Sequence, residues 1–199
     1  MNIGSLLPRH ARYRPENLAF VVGKERLNFF ELNERVNRLA NALLDSGIRK
    51  GQKMATVLPN CEELMLLYWA AAKTGIVIVP GSHLLQGSGL ATLLSDSDTI
   101  VFFADTEFAE RLDKIKNELP AIQNNHWIML GESKMIRGFK SYPDFIAGDS
   151  AEEPPDAQLV MVMSTTLCIL AEPLGLQKVL FTRMMFGLIT VRTLLPHGV

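Results

Sequence analysis

The sequence predicts an α/β fold, a mostly parallel sheet flanked by helices, across residues 1 to about 130. Three observations predict it. Short β-like apolar runs alternate with stretches of helical periodicity. Two strand-like runs are closed by prolines, Pro59 and Pro80, which cannot continue a central ladder. Helix-start and helix-stop residues stand where the periodicity changes.

Leu18 to Val22 and Leu27 to Phe29 read as a hairpin around Gly23-Lys24-Glu25. A helix follows with Leu32, Val36, Leu39, Ala40 and Leu43 on one face. Asn28 and Glu31 have capping-box spacing at its start, and Gly47 is its stop. Lys53 to Leu58 reads as a buried strand, and Asn60 with Glu63 repeats the cap spacing ahead of an apolar helix, Leu64 to Ala72, that stops near Gly75. Ile76 to Val79 is the next strand, then a short helix around Leu90 to Leu94 and the strand Thr99 to Phe103. After Asp105 a helix carries Phe108, Leu112, Ile115 and Leu119 on one stripe, and Trp127 to Leu130 is a further strand. Residues 131–156 hold Gly131, Gly138, Pro143, Gly148 and the acidic stretch Glu152-Glu153-Pro154-Pro155-Asp156, and read as a surface connection.

From Val160 the character changes. Met161, Met163, Met184 and Met185 crowd a stretch whose charged residues are only Glu172, Lys178, Arg183 and Arg192. Neither a helical nor an alternating period holds there, and Pro173 and Gly175 interrupt it.

Composition narrows the function classes. With 48% hydrophobic and 21% charged residues the chain can bury a real core. A net charge of −1 gives no long-range attraction to nucleic acid or anionic lipid. Cys61 and Cys168 are too few for a disulfide framework, which points to a reducing cytoplasm. The N-terminal apolar run is too short for a secretory signal, and Ala157 to Ala171 is shorter than the ~20 residues a membrane span needs.

Individual residues specify no chemistry. His10, His83, His126 and His197 lack ligand-like spacing to any partner. Gly87-Ser88-Gly89 could present backbone N–H groups to a phosphate, but no Lys and Ser/Thr follow, so an ordinary opening turn of a helix accounts for it. Glu62 and Glu63 are adjacent and point to different sides of a helix, and Glu63 is read as a capping residue. Tyr68 and Trp69 sit in an apolar helix where packing explains them.

The order of short blocks carries more. Ala11-Arg12-Tyr13-Arg14-Pro15 comes first, then Leu27-Asn28-Phe29-Phe30-Glu31-Leu32, similar to an "LTYxEL" block. Met54 to Glu63 resembles "VAxxLPNxxE", and Ala70 to Pro80 resembles "AxxxxGAVxVP" with Ile76 in place of alanine. Leu94-Ser95-Asp96-Ser97 looks like "LxDS" ahead of a strand. In this order and spacing the blocks resemble the N-terminal part of the AMP-binding, adenylate-forming acyl-CoA and aryl-acid ligases. The resemblance implies a Rossmann-like subdomain of a larger fold. It also implies a parent reaction in which a carboxylate attacks the α-phosphate of ATP, with Mg²⁺, and CoA thiolate then displaces AMP from the acyl-adenylate.

That family's pyrophosphate loop, "SGTTGxPKG", is expected near residue 165 and is not spelled there. Back-translation restores it. When each codon's third base is joined to the next codon's first two, Cys168 to Val179 can read Y-S-S-G-T-T-G-x-P-K-G. Val160 to Thr166 likewise permits D-G-D-V-Y-N ahead of it. Loss of one base, or gain of two, near Leu159 accounts for both.

The expectations are therefore these. Residues 1–156 form an incomplete N-terminal subdomain, and residues 157–199 an aberrant, out-of-frame and poorly ordered tail. The chain supplies no catalytic, cofactor-binding or metal-binding residue; ATP, Mg²⁺ and CoA belong to the parent, a cytoplasmic ligase of carboxylic or fatty acids. No nucleic acid partner and no transmembrane segment are expected. An apolar face left exposed would permit self-association or, as an alternative role, a non-catalytic interaction module; an unstable fragment without a role is the third possibility.

Overall fold

Five strands build the central sheet, and their limits follow the residues that cannot pair further. In the computed structural model, which describes residues 3–82, 84–85, 87–131 and 138–154, β3 (Lys53–Val57) stops before Pro59 and β4 (Val77–Pro80) ends on its proline. β5 (Thr99–Asp105), β6 (Trp127–Leu130) and β7 (Lys140–Ser141) complete the sheet. The order is β4-β3-β5-β6-β7, and every neighbouring pair is parallel. A separate antiparallel hairpin, β1 (Leu18–Val22) and β2 (Glu25–Asn28), precedes it. Its loop is tighter than expected: Val22 pairs with Glu25, so Gly23 and Lys24 alone make the turn, and Gly23 takes φ +57°.

Alternation along β5 divides the core in two. Phe103 and Val101 face α2 (Phe29–Asp45) and α3 (Glu62–Thr74), packing with Leu39, Leu43, Leu67 and Ala70. Phe102 and Ala104 face α4 (Gly87–Asp96) and α5 (Ala109–Ile115), with Leu94, Leu112 and Trp127. Helices thus cover both faces, as a parallel sheet requires. The α/β class and parallel sheet expected from the sequence are what the chain adopts.

The start of α2 carries the expected capping box. Asn28 Oδ1 accepts from the Glu31 N–H at 2.8 Å, and Glu31 Oε2 accepts from the Asn28 N–H at 3.0 Å. The parallel expectation for Asn60 and Glu63 does not hold. The cap of α3 is Cys61, extended at φ −131°, and no side chain caps the helix. With the cap one residue later, Glu63 falls at the second helical position and cannot reach back. The far end behaves as expected, with Gly75 left-handed at φ +77°.

One element is not read from the sequence, and one further reading is corrected. An amphipathic helix α1 (Leu6–Tyr13) precedes the hairpin, entered by a turn at Ile3–Ser5. Gly4 lies against α3 so closely that an added Cβ would stand 2.4 Å from the Ala72 carbonyl oxygen. The stretch read as a surface connection contains β7 and α6 (Tyr142–Ile146), which buries Tyr142 and Phe145 against α2's side of the sheet. Pro143 sits in its first turn and Ser141 caps it, accepting from the Asp144 N–H at 3.2 Å. The tail expected to be poorly ordered, residues 157–199, lies outside the described residues.

Candidate functional site

The strand order reverses direction between β3 and β5: the chain steps outward to β4, then returns to the other side of β3. In open α/β sheets ligands bind outside the carboxyl ends of the strands at such a switch point. Here that crevice is bordered by Leu58-Pro59-Asn60 after β3 and Asp105-Thr106-Glu107 after β5. Asp105, the carboxylate at this edge, is committed locally. Its Oδ1 accepts from the Glu107 N–H at 3.0 Å and from Thr106 Oγ1 at 3.3 Å.

Neither loop contains a lysine or arginine. A triphosphate needs cations or several convergent N–H donors, so these loops alone do not fit ATP. Among the described residues no group of histidine, cysteine or acidic side chains is placed to hold a metal ion.

The singled-out residues fall into structural places. His10 stacks on Phe29 with ring centroids 4.8 Å apart. His126 is buried, its Nδ1 3.1 Å from the Ile100 carbonyl and its Nε2 3.2 Å from the Ser46 carbonyl, joining the sheet to the end of α2. His83 and His197 lie outside the described residues. Gly87 to Gly89 form the first turn of α4, as read. Glu62 pairs with Arg35 of α2, a contact the sequence did not suggest. Trp69 lines an apolar cavity of about 360 Å³ with Leu6, Leu7, Phe20, Phe29 and Met65. Cys61 is part-buried, and burial raises its thiol pKa.

The dense polar cluster is elsewhere, on the outer side of α2 and α3. Lys73 is 3% exposed, yet all three of its protons have acceptors. Its Nζ donates to Asn33 Oδ1 at 2.8 Å, Asn37 Oδ1 at 2.6 Å and Glu153 Oε2 at 2.7 Å. Burial lowers the Lys73 pKa against the raising pull of Glu153. For Glu153, burial pushes upward, but hydrogen bonds from Lys73, Asn33 and Asn37 outweigh it and hold the carboxyl below its usual range.

Comparison with known proteins places this architecture. Residues 7–165 match the AMP-binding enzyme family. The chain belongs to that family. It is 30% identical over 156 residues to the long-chain-fatty-acid–CoA ligase FadD13 of Mycobacterium tuberculosis, covering 77% of this chain and 29% of the relative. It is 25% identical over 160 residues to a medium/long-chain-fatty-acid–CoA/3-oxocholest-4-en-26-oate–CoA ligase of Mycobacterium marinum, covering 80% of this chain and again 29% of the relative. Among solved structures it superimposes on a Mycobacterium tuberculosis fatty acyl CoA synthetase with TM-score 0.65 and 26% identity, over 77% of this chain and 30% of that one. The anthranilate CoA ligase AuaEII, solved with anthranoyl-AMP, shares the fold at TM-score 0.70 and 22% identity, over 76% of this chain and 29% of that one. The chain thus spans about three-tenths of these relatives. No helix among the described residues is long and apolar enough to cross a membrane.

Proposed function

We propose that the chain is the N-terminal subdomain of an AMP-forming acyl-CoA ligase, translated out of frame from about Leu159, and that it does not activate carboxylates by itself. In the parent, a carboxylate oxygen attacks the α-phosphorus of ATP and pyrophosphate leaves; CoA thiolate then attacks the acyl carbon and AMP leaves. The observation that carries this reading is the sequence around the end of the family match. The match stops at residue 165, and the shifted codons of Cys168 to Val179 permit the family's pyrophosphate loop immediately afterwards. A cytoplasmic compartment and a fatty-acid substrate are part of the same proposal, the latter supported by the names of the relatives.

Inactivity follows from chemistry. Without preorganised donors on the pyrophosphate oxygens, charge developing in the transition state is left unstabilised. The purified chain is expected to give no carboxylate-dependent exchange of pyrophosphate into ATP. Exchange above background with any fatty or aryl acid would contradict the proposal.

A second reading, a non-catalytic interaction module, has its own observation. Tyr13, Leu18 and Phe30 are 72%, 54% and 50% exposed. Backbone contacts join the segments that carry them: Phe30 N–H donates to the Pro15 carbonyl at 3.2 Å, and Leu18 pairs with Asn28. Concentration-dependent self-association or stoichiometric capture of a defined partner would favour it.

A further inference from the structure

Three asparagines, Asn33, Asn37 and Asn41, recur every fourth residue on one face of α2, and all three bind a single short segment of the chain. Asn41 Nδ2 donates to the carbonyls of Ser150 at 2.7 Å and Glu152 at 3.0 Å. Asn37 Nδ2 donates to the Ala151 carbonyl at 2.8 Å and to Glu153 Oε1 at 3.2 Å, and Asn33 Nδ2 to Glu153 Oε1 at 2.7 Å. The segment therefore runs antiparallel to the helix. Lys73, from α3, accounts for the orientation of the amides. By drawing Asn33 Oδ1 and Asn37 Oδ1 towards its ammonium, it turns both Nδ2 groups towards the segment.

Such a contact reads position along the chain. Backbone carbonyls are the same at every residue, so the asparagines alone would tolerate a slip. Glu153 narrows that freedom, because in the observed register its carboxylate meets Lys73 and both amides at once. A slip that brought Pro154 to the lysine would leave a buried cation unpaired, which is strongly unfavourable. A slip to Glu152 would keep a carboxylate there but move every carbonyl off its asparagine.

We infer that Asn33, Asn37, Asn41, Lys73 and Glu153 form a register-setting clasp. Its role is to fix where and in which direction the chain leaves this subdomain at Pro154. This rests on the ligase reading for its purpose: in the in-frame parent the segment beyond Pro154 leads to the pyrophosphate loop, and there these are positioning residues for it. The clasp's existence can be tested independently of that reading.

Among the described residues the charged group facing Glu153 is Lys73; at the other end of the segment Asp149 meets Asp45 and Lys140, and burial followed by Asp45 raises its pKa. A carboxyl depressed in the docked state stabilises docking above its ordinary value and loses that contribution as pH falls through the depressed one. Asp149 titrates in the opposite sense and supplies no acid release.

The test is amide hydrogen exchange of residues 150–153 in the full chain, corrected for intrinsic rates, with α2 amides as the control for a folded core. Lys73→Met is expected to raise exchange in that segment by about tenfold or more at neutral pH, as loss of charged hydrogen bonds implies. The parent chain is expected to show the same release on acidification, below the usual glutamate range. Glu153→Gln keeps the shape and an acceptor for the asparagines. It is expected to show intermediate protection without the acid step, and it serves should Lys73→Met fail to fold. Unchanged exchange in Lys73→Met with α2 intact, or an acid step retained in Glu153→Gln, would overturn the clasp. A positive result alongside measurable pyrophosphate exchange would overturn the proposed inactivity and leave the clasp standing.

Discussion

Phe103→Ala is expected to cost about 3–5 kcal/mol, a large part of the ~5–15 kcal/mol that holds a domain together. Phe103 is wholly buried on the central strand β5, where it pairs with Thr56 on β3 and Ile128 on β6. Its ring also meets Phe145 of α6 edge to face, centroids 5.6 Å apart at 85°. Truncation therefore opens a cavity beneath α2 and α3 and frees α6 from its aromatic anchor. Denaturant unfolding should show a midpoint shifted far down, or no cooperative transition at all. A loss under ~1 kcal/mol would mean that α6 and the helices collapse into the space, and the packing described for this face would be wrong.

Tyr142→Phe is expected to do the opposite. Tyr142 is 8% exposed, and among the described residues its hydroxyl is a buried polar atom without a hydrogen-bond partner. Removing it relieves an uncompensated desolvation cost, and a gain of about 1–3 kcal/mol is expected. The same burial, reinforced by Glu63 and Glu62, pushes the phenol pKa well above its usual 10.0. For an acid whose folded pKa is raised, the folded state holds the proton where the unfolded state has lost it. Stability then falls as pH rises above about 10. The variant should lose that alkaline decline. Thermal unfolding at neutral pH and near pH ~11 measures both effects. Destabilisation by Tyr142→Phe would mean that the hydroxyl has a partner after all.

The elements legible in the sequence are those with a long enough period or a chemical stop. The helix from Phe29 to Asp45 has both, an apolar stripe over several turns and a reciprocal cap at Asn28 and Glu31. Pro59 and Pro80 mark where two strands end. The five-residue helix at Tyr142–Ile146 escapes because Tyr142 and Phe145 are its only buried positions, too few to establish a period. The Glu63 cap fails on a one-residue offset that only the backbone at Cys61 decides.

The clasp leaves only an outline in the sequence. Asn33, Asn37 and Asn41 stand at helical spacing, but polar residues opposite an apolar stripe read as a solvated face. Only their partners, more than a hundred residues away in sequence, distinguish a ladder from ordinary surface. The active-site chemistry is a different matter. The loops at the β3 and β5 ends contain no cation, so no pattern in them could point to phosphate. What the sequence does carry is the order of blocks, and the family match over residues 7–165 agrees with it.

The most direct test of the account is the nucleotide sequence from the codon of Leu159 onward. Read with the frame moved so that third bases open each codon, it should spell Ser-Ser-Gly-Thr-Thr-Gly-x-Pro-Lys-Gly across the codons of Cys168 to Val179 and continue without a stop into the rest of a ligase. A stop codon soon after Leu159 in that frame, or an open frame without the loop, would contradict the account.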